Sequence, residues 1–247
     1  MGEEQSSSQG VQILTLTLLV CVSTLLTGCA VPLHTSARAG NMWELKQHFA
    51  WGANPNARTL WYRDTPLHFA AAYGRVAAVK LLLEKGADVN LGNEGSAIPL
   101  HYAARHGHTE VVRILLDHGS DVAEKGTGCG TPLQWAARNG QIKAARLLLA
   151  HGADINQPGT SDETPLMDAA RHGDPDTVRF LLSRGADVNV RASYGRTALH
   201  AAAERNNVEA GRILLEYGAD PTLESNGRPV REEFLRLIRE SAPDAKK

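Results

Sequence analysis

Cysteine is almost missing from this chain. Only Cys21, Cys29 and Cys129 occur in 247 residues, and the first two lie inside or just after an apolar N-terminal run. A single thiol is left for the rest, which excludes an intramolecular disulfide framework and a cysteine metal site there. Aromatic residues are scarce at 5%, against a hydrophobic content of 43% that suffices for a buried core. The apolar residues are mostly Ala and Leu, both strong helix formers. Charge of one sign is lacking too, the formal net charge being -1. That balance argues against a polyanionic partner and against a disordered acidic tail, and nucleic acid is not an expected ligand. Nucleophile elbow, HExxH and CxxC are all missing. No catalytic residue, metal or cofactor is therefore expected, and no enzyme. Glycine, by contrast, is plentiful: 23 residues at regular intervals suggest many short helices with tight turns between them.

From Val11 to Leu33 there is no charged residue, and the middle of the stretch reads ILTLTLLVCVSTLLTGC. An apolar run there, ending in small residues, resembles a secretory signal. Leu26-Thr27-Gly28-Cys29 resembles the lipobox of bacterial lipoproteins. The resemblance implies cleavage before Cys29, a diacylglycerol on its thiol and an acylated new amino terminus. Several acyl chains anchor firmly, whereas one alone binds with only about 10⁴ M⁻¹. Ala30 stands where an Asp would imply retention at the inner membrane, so the resemblance points to the outer membrane and its periplasmic face. The preceding residues carry Glu3 and Glu4 and no Lys or Arg, unlike most signal peptides. An uncleaved single-span anchor thus stays open, with Arg38 and Lys46 favouring a cytoplasmic C-terminal part. Gly2 and Ser6 also fit the loose myristoylation pattern.

The period of the chain is plain. Thr65-Pro66-Leu67-His68, Ile98-Pro99-Leu100-His101, Thr131-Pro132-Leu133-Gln134, Thr164-Pro165-Leu166-Met167 and Thr197-Ala198-Leu199-His200 start 33 residues apart. A glycine follows each start by 21 residues: Gly86, Gly119, Gly152, Gly185 and Gly218. An earlier unit starts at Val31-Pro32-Leu33-His34, 34 residues before the next. Spacing and motif together resemble the ankyrin repeat. The resemblance implies an all-α solenoid of about six helix-turn-helix repeats with a C-terminal capping helix. The expected division is a signal peptide over 1–28, a lipidated N-terminus at 29–30, repeats over 31–228, a capping helix at 229–240 and a loose tail at 241–247. The repeats divide at 31–64, 65–97, 98–130, 131–163, 164–196 and 197–228.

Each repeated residue has a mechanical use. Thr65 caps a helix start, and Pro66 suits the first turn, where a missing N–H is no loss. Leu67, Ala70 and Ala71 form the packed side of a short first helix. Gly74 ends it, and Val79, Leu82 and Leu83 make the apolar face of a second helix that Gly86 terminates. A single unit cannot bury both faces, so stability comes from stacking. Gln47 and His48 replace aliphatic residues in the first unit, predicting a wetter outer face. Phe234, Leu237 and Ile238 give the capping helix its apolar side.

His34, His68, His101 and His200 recur at one position. Packed helices lie roughly 8–10 Å apart, too far for successive rings to share a zinc ion at about 2.1 Å. The family resemblance implies instead an imidazole that supports the turn by hydrogen bonds. The resemblance to ankyrin repeats also implies protein binding, through the loop tips and the exposed side of the first helices. Leu60, Trp61 and Tyr62 stand together in an unusual loop, either a binding hot spot or a cover over the adjacent helix. Phe69, Tyr102 and Trp135 align as a ridge or as packing between repeats. Arg38, Arg105, Arg138 and Arg171 align eight residues into their units, with His106, His172 and Arg205 beside them. The candidate partner-binding residues are Leu60, Trp61, Tyr62, Phe69, Tyr73, Tyr102, Arg105, His106, Trp135, Arg138, Arg171 and His172; Cys29 is the candidate lipidation site. A basic stripe would suit a protein partner with an acidic face. The expected role is a membrane-tethered adaptor or inhibitor in the bacterial envelope, an immunity protein being one version. Structural scaffolding, or support of a periplasmic enzyme, is the alternative.

Overall fold

A computed structural model describes residues 32–126, 130–159, 162–172 and 174–241. The signal segment, Cys29 and Cys129 lie outside the described residues, as does the tail beyond Ser241. The described residues form thirteen α-helices, a short 3₁₀ turn at Ser193–Gly195 and no β-strand. No helix among them is long and apolar enough to cross a membrane.

The helices come in pairs. The first members are α1 (Leu33–Ala39), α3 (Pro66–Ala72), α5 (Pro99–Arg105), α7 (Pro132–Arg138), α9 (Pro165–His172) and α11 (Ala198–Glu204). The second members are α2 (Met42–Ala50), α4 (Val76–Glu84), α6 (Thr109–Asp117), α8 (Ile142–Ala150), α10 (Pro175–Ser183) and α12 (Val208–Glu216). A final helix, α13 (Glu232–Glu240), follows. Each first helix packs on the first helices before and after it, and each second helix on its own partner, so the molecule is a one-dimensional stack.

The first helices α3, α5, α7 and α11 start the same way for the same reason. The Thr65 N–H donates to Nδ1 of His68 at 3.1 Å, satisfying a donor that the helix start leaves free. That places the ring proton on Nε2, which donates to the Ala97 carbonyl of the next loop at 2.8 Å. His101 repeats the arrangement, with the Ile98 N–H at 3.2 Å and the Gly130 carbonyl at 3.1 Å. Gln134 does the same work with an amide: Oε1 accepts from the Thr131 N–H at 2.9 Å and Nε2 donates to the Glu163 carbonyl at 2.6 Å. The imidazole is a staple between units.

A second staple runs along the loops. The Asn56 amide donates to the Gly86 carbonyl at 3.2 Å and accepts from the Asp88 N–H at 2.8 Å. Asn90 and Asn189 repeat both contacts one unit further on, at Gly119 and Asp121 and at Gly218 and Asp220. Ala123 has no amide to offer, and there Gln157 reaches back to its carbonyl at 3.1 Å. Gly86 sits at φ +84°, a conformation that costs a side-chain-bearing residue more than it costs glycine.

Small residues set the core. Leu67, Ala70, Ala71, Val79 and Leu82 are fully buried, and their counterparts Leu133, Ala136, Ala137, Ala145 and Leu148 are buried likewise. Alanine on the first helices lets neighbouring backbones approach closely. The first unit is less wet than its sequence predicts. Gln47 and His48 are half-buried, and the large apolar residues exposed there are Trp43 and Trp51. At the other end α13 closes the stack with Phe234 and Ile238 buried and Leu237 half-buried.

Candidate protein-binding surface

The loop between α2 and α3 closes on itself, the Thr59 N–H donating to the Asp64 carbonyl and the Asp64 N–H to the Thr59 hydroxyl, both at 3.0 Å. Its backbone is tied to the next loop, where the Glu94 N–H donates to the Tyr62 carbonyl at 2.9 Å. The side chains at its tip are left in solvent: Leu60, Trp61 and Tyr62 are 94%, 83% and 70% exposed. They do not fold over the adjacent helix, which was one of the two sequence expectations. Three large apolar groups on a pinned loop form an exposed patch of the kind that marks interaction sites.

Phe69, Tyr102 and Trp135 are half-buried, and each stands edge-on to the histidine of the preceding unit. The ring centroids are 5.8, 5.7 and 5.4 Å apart for His34–Phe69, His68–Tyr102 and His101–Trp135. Tyr102 and Trp135 also meet edge-on at 5.5 Å. The three aromatics therefore pack between repeats with one edge and present the other. In the fifth unit the same place is taken by Asp168, which the sequence reading passed over. Between α3 and α5 lies a cleft of about 470 Å³ lined by Asp64, His68, Phe69, Ala72, Tyr73, Tyr102, His106 and His108.

The aligned arginines do not form one basic stripe. Arg38 lies over the Tyr73 ring at 4.6 Å and Arg105 over the Trp135 ring at 5.5 Å. Arg138 turns toward the next unit, its Nε 2.8 Å from His172 Nε2 and 3.6 Å from the Asp168 carboxylate, with 49% of its side chain still exposed. Arg171 is held by Glu163 and lies 3.6 Å from Glu204, with only 13% of its side chain exposed. Arg196 bridges the same two glutamates. Arg138 and Arg171 thus belong to a network of ion pairs that runs between repeats. Recurrence of a residue at one repeat position says nothing about the acid that a neighbouring unit brings to it.

The network sets its own protonation. Burial pushes the Asp168 carboxyl up to about 6, against the pull of Arg138. Burial also lowers His172, assisted by the charges of Arg138 and Arg171, so that its ring can accept from Arg138. Burial works to raise Glu163, but the hydrogen bond and charge of Arg171, with Arg196 and Arg138, hold its carboxyl below the usual range. His106, near the cleft, is lowered by burial and by Arg105 and His108. Among the described residues no group of three or more His, Cys, Asp or Glu side chains is placed to hold a metal ion.

Comparison with known proteins agrees with this architecture. A family model described as ankyrin repeats, in three copies, matches residues 33–126, 91–159, 123–192 and 158–225 in overlapping stretches. The crystal structure of the human ASB11 ankyrin repeat domain is similar at a TM-score of 0.73 and 32% identity. The similarity covers 87% of this chain and 99% of that one.

Proposed function

The chain belongs to the ankyrin-repeat family, and we propose that it is a lipid-anchored protein-binding module of the bacterial envelope. The observation that carries protein binding is the exposed Leu60-Trp61-Tyr62 tip beside an aromatic cleft, on a fold that typically serves as a non-catalytic scaffold. The anchor rests on Leu26-Thr27-Gly28-Cys29 at the end of an uncharged apolar run. The first repeat begins almost directly after Cys29, so the stack stands close to the outer-membrane surface, facing the periplasm. A groove held there sequesters an enzyme or shields one, as an inhibitor or immunity protein would; scaffolding a periplasmic enzyme uses the same surface. The lack of Lys or Arg before the run, with Arg38 and Lys46 after it, favours a second reading, in which the run is an uncleaved span and the repeats face the cytoplasm.

One experiment tests both parts. The full chain is expressed with labelled palmitate, and its membrane fraction is cross-linked and captured. Wild type is expected to carry label and retain one partner. Cys29→Ser should lose label and be processed no further; normal labelling would overturn the lipoprotein reading, and unlabelled wild type that stays in the membrane would favour the uncleaved span. Trp61→Ala with Tyr62→Ala should keep label and lose the partner. Undiminished capture by that double variant would remove the loop tip from the binding surface.

A further inference from the structure

Along the row of aligned arginines the positive charge left over lies at one end, while beside that row Arg205 of the last unit is exposed and also makes no ion pair among the described residues. Arg38 and Arg105 make no ion pair among the described residues, whereas Arg138, Arg171 and Arg196 are each paired with carboxylates. Within the row these two are also the ones placed over aromatic rings, Tyr73 and Trp135. Stacking restrains a guanidinium while leaving its N–H edge outward, the geometry suited to a carboxylate. Between their units lies the cleft, walled by Phe69, Tyr73 and Tyr102. Its one carboxylate, Asp64, accepts from the Asn93 amide at 2.8 Å and makes the centre unfavourable for a second acid. The surface therefore reads as charge, apolar hollow, charge.

We infer that this face takes an extended acidic segment of another protein, with an apolar or aromatic side chain in the cleft and a carboxylate on each of Arg38 and Arg105. The inference rests on the protein-binding reading above and adds the chemistry of the partner. Its spacing follows from the fold. Neighbouring first helices are roughly 8–10 Å apart, and Arg38 and Arg105 belong to helices two steps apart, so their separation is roughly 16–20 Å. An extended chain rises about 3.3 Å per residue, which sets the two acids about five or six positions apart with the anchor between them. A Leu60-Trp61-Tyr62 tip alongside extends the same patch beyond the cleft.

The test is selection of a phage-displayed random peptide library on the full chain in detergent, which needs no envelope extract. Recovered peptides should carry an apolar residue flanked by Asp or Glu at that spacing. Synthetic copies should bind more weakly as salt rises. They should lose about tenfold or more in affinity for the Arg38→Glu, Arg105→Glu double variant. Arg113→Glu, on the second-helix row, controls for net charge and should bind as wild type does. Circular dichroism of each variant establishes that it is folded. The inference is overturned by recovered peptides that are basic or lack the anchor, by no enrichment, or by undiminished binding to the double variant. If envelope capture succeeds while the selection fails, the acidic-segment assignment falls and the interaction module stands.

Discussion

His101 shows how much one repeated side chain decides. Burial drives its imidazole down to about 4, although the Gly130 carbonyl and the Ile98 backbone favour the proton. The unfolded chain, titrating near 6.5, binds more protons than the folded one between about pH 4 and 6.5. Stability from this group is therefore full above 6.5 and lost as pH falls through that window, by about 3 kcal/mol in all. Burial lowers His68 and His200 in the same direction. Asp168 acts oppositely: raised from 3.8 to about 6, it binds more protons when folded, and so offsets part of the acid loss. Gln134 supplies the test, since it makes the same two hydrogen bonds without titrating. His101→Gln should lie within about 1 kcal/mol of wild type near neutral pH and be more stable by about 2 kcal/mol near pH 4.5, measured by urea unfolding across that range. An unchanged acid limb would show that His101 does not carry it. Recurrence of the histidine marked it, and the family resemblance implied its supporting role; the Asp168 network was not legible, because its members are brought together from three successive units.

At the level of elements, α13 depends on one glycine. In the second helices of earlier units the matching residues are Val79, Val112, Ala145 and Val178; in α12 it is Gly211. A Cβ at Gly211 would come within 2.7 Å of both Phe234 and Ile238, so glycine makes the seat for the cap. Gly211→Val is expected to undock α13 and cost about 1–3 kcal/mol, from overpacking at the seat. Limited proteolysis should then cut after 228 while the six preceding units stay resistant. Proteolysis identical to wild type would mean that the cap has another seat. The helices themselves were readable from Thr-Pro starts and glycine stops, since those signals act within a few residues. The exposed Trp43 and the half-buried Gln47 of α2 were not, because that face is set by the neighbouring unit and the chain end.

Across the whole molecule, stacking makes the units interdependent. Leu148 in α8 is fully buried in the middle of the array. A carboxylate there must be desolvated or must open the interface, at a cost of several kcal/mol. Leu148→Asp should therefore unfold several units together, seen as a lower denaturant midpoint with loss of a single transition. A melting profile like that of wild type would contradict this placement of the helix face. The sequence by itself determined the period, the all-helical pairs and the order of the units, because each repeat is built from short-range contacts and packs on its nearest neighbours. Only the tertiary structure decided which aligned arginines stay free, whether Leu60, Trp61 and Tyr62 are covered, and what Gly211 is for. Charge pairing and exposure depend on distances between side chains some thirty residues apart, as when Glu163 meets Arg196 at 3.1 Å, and a one-dimensional pattern carries no such distance.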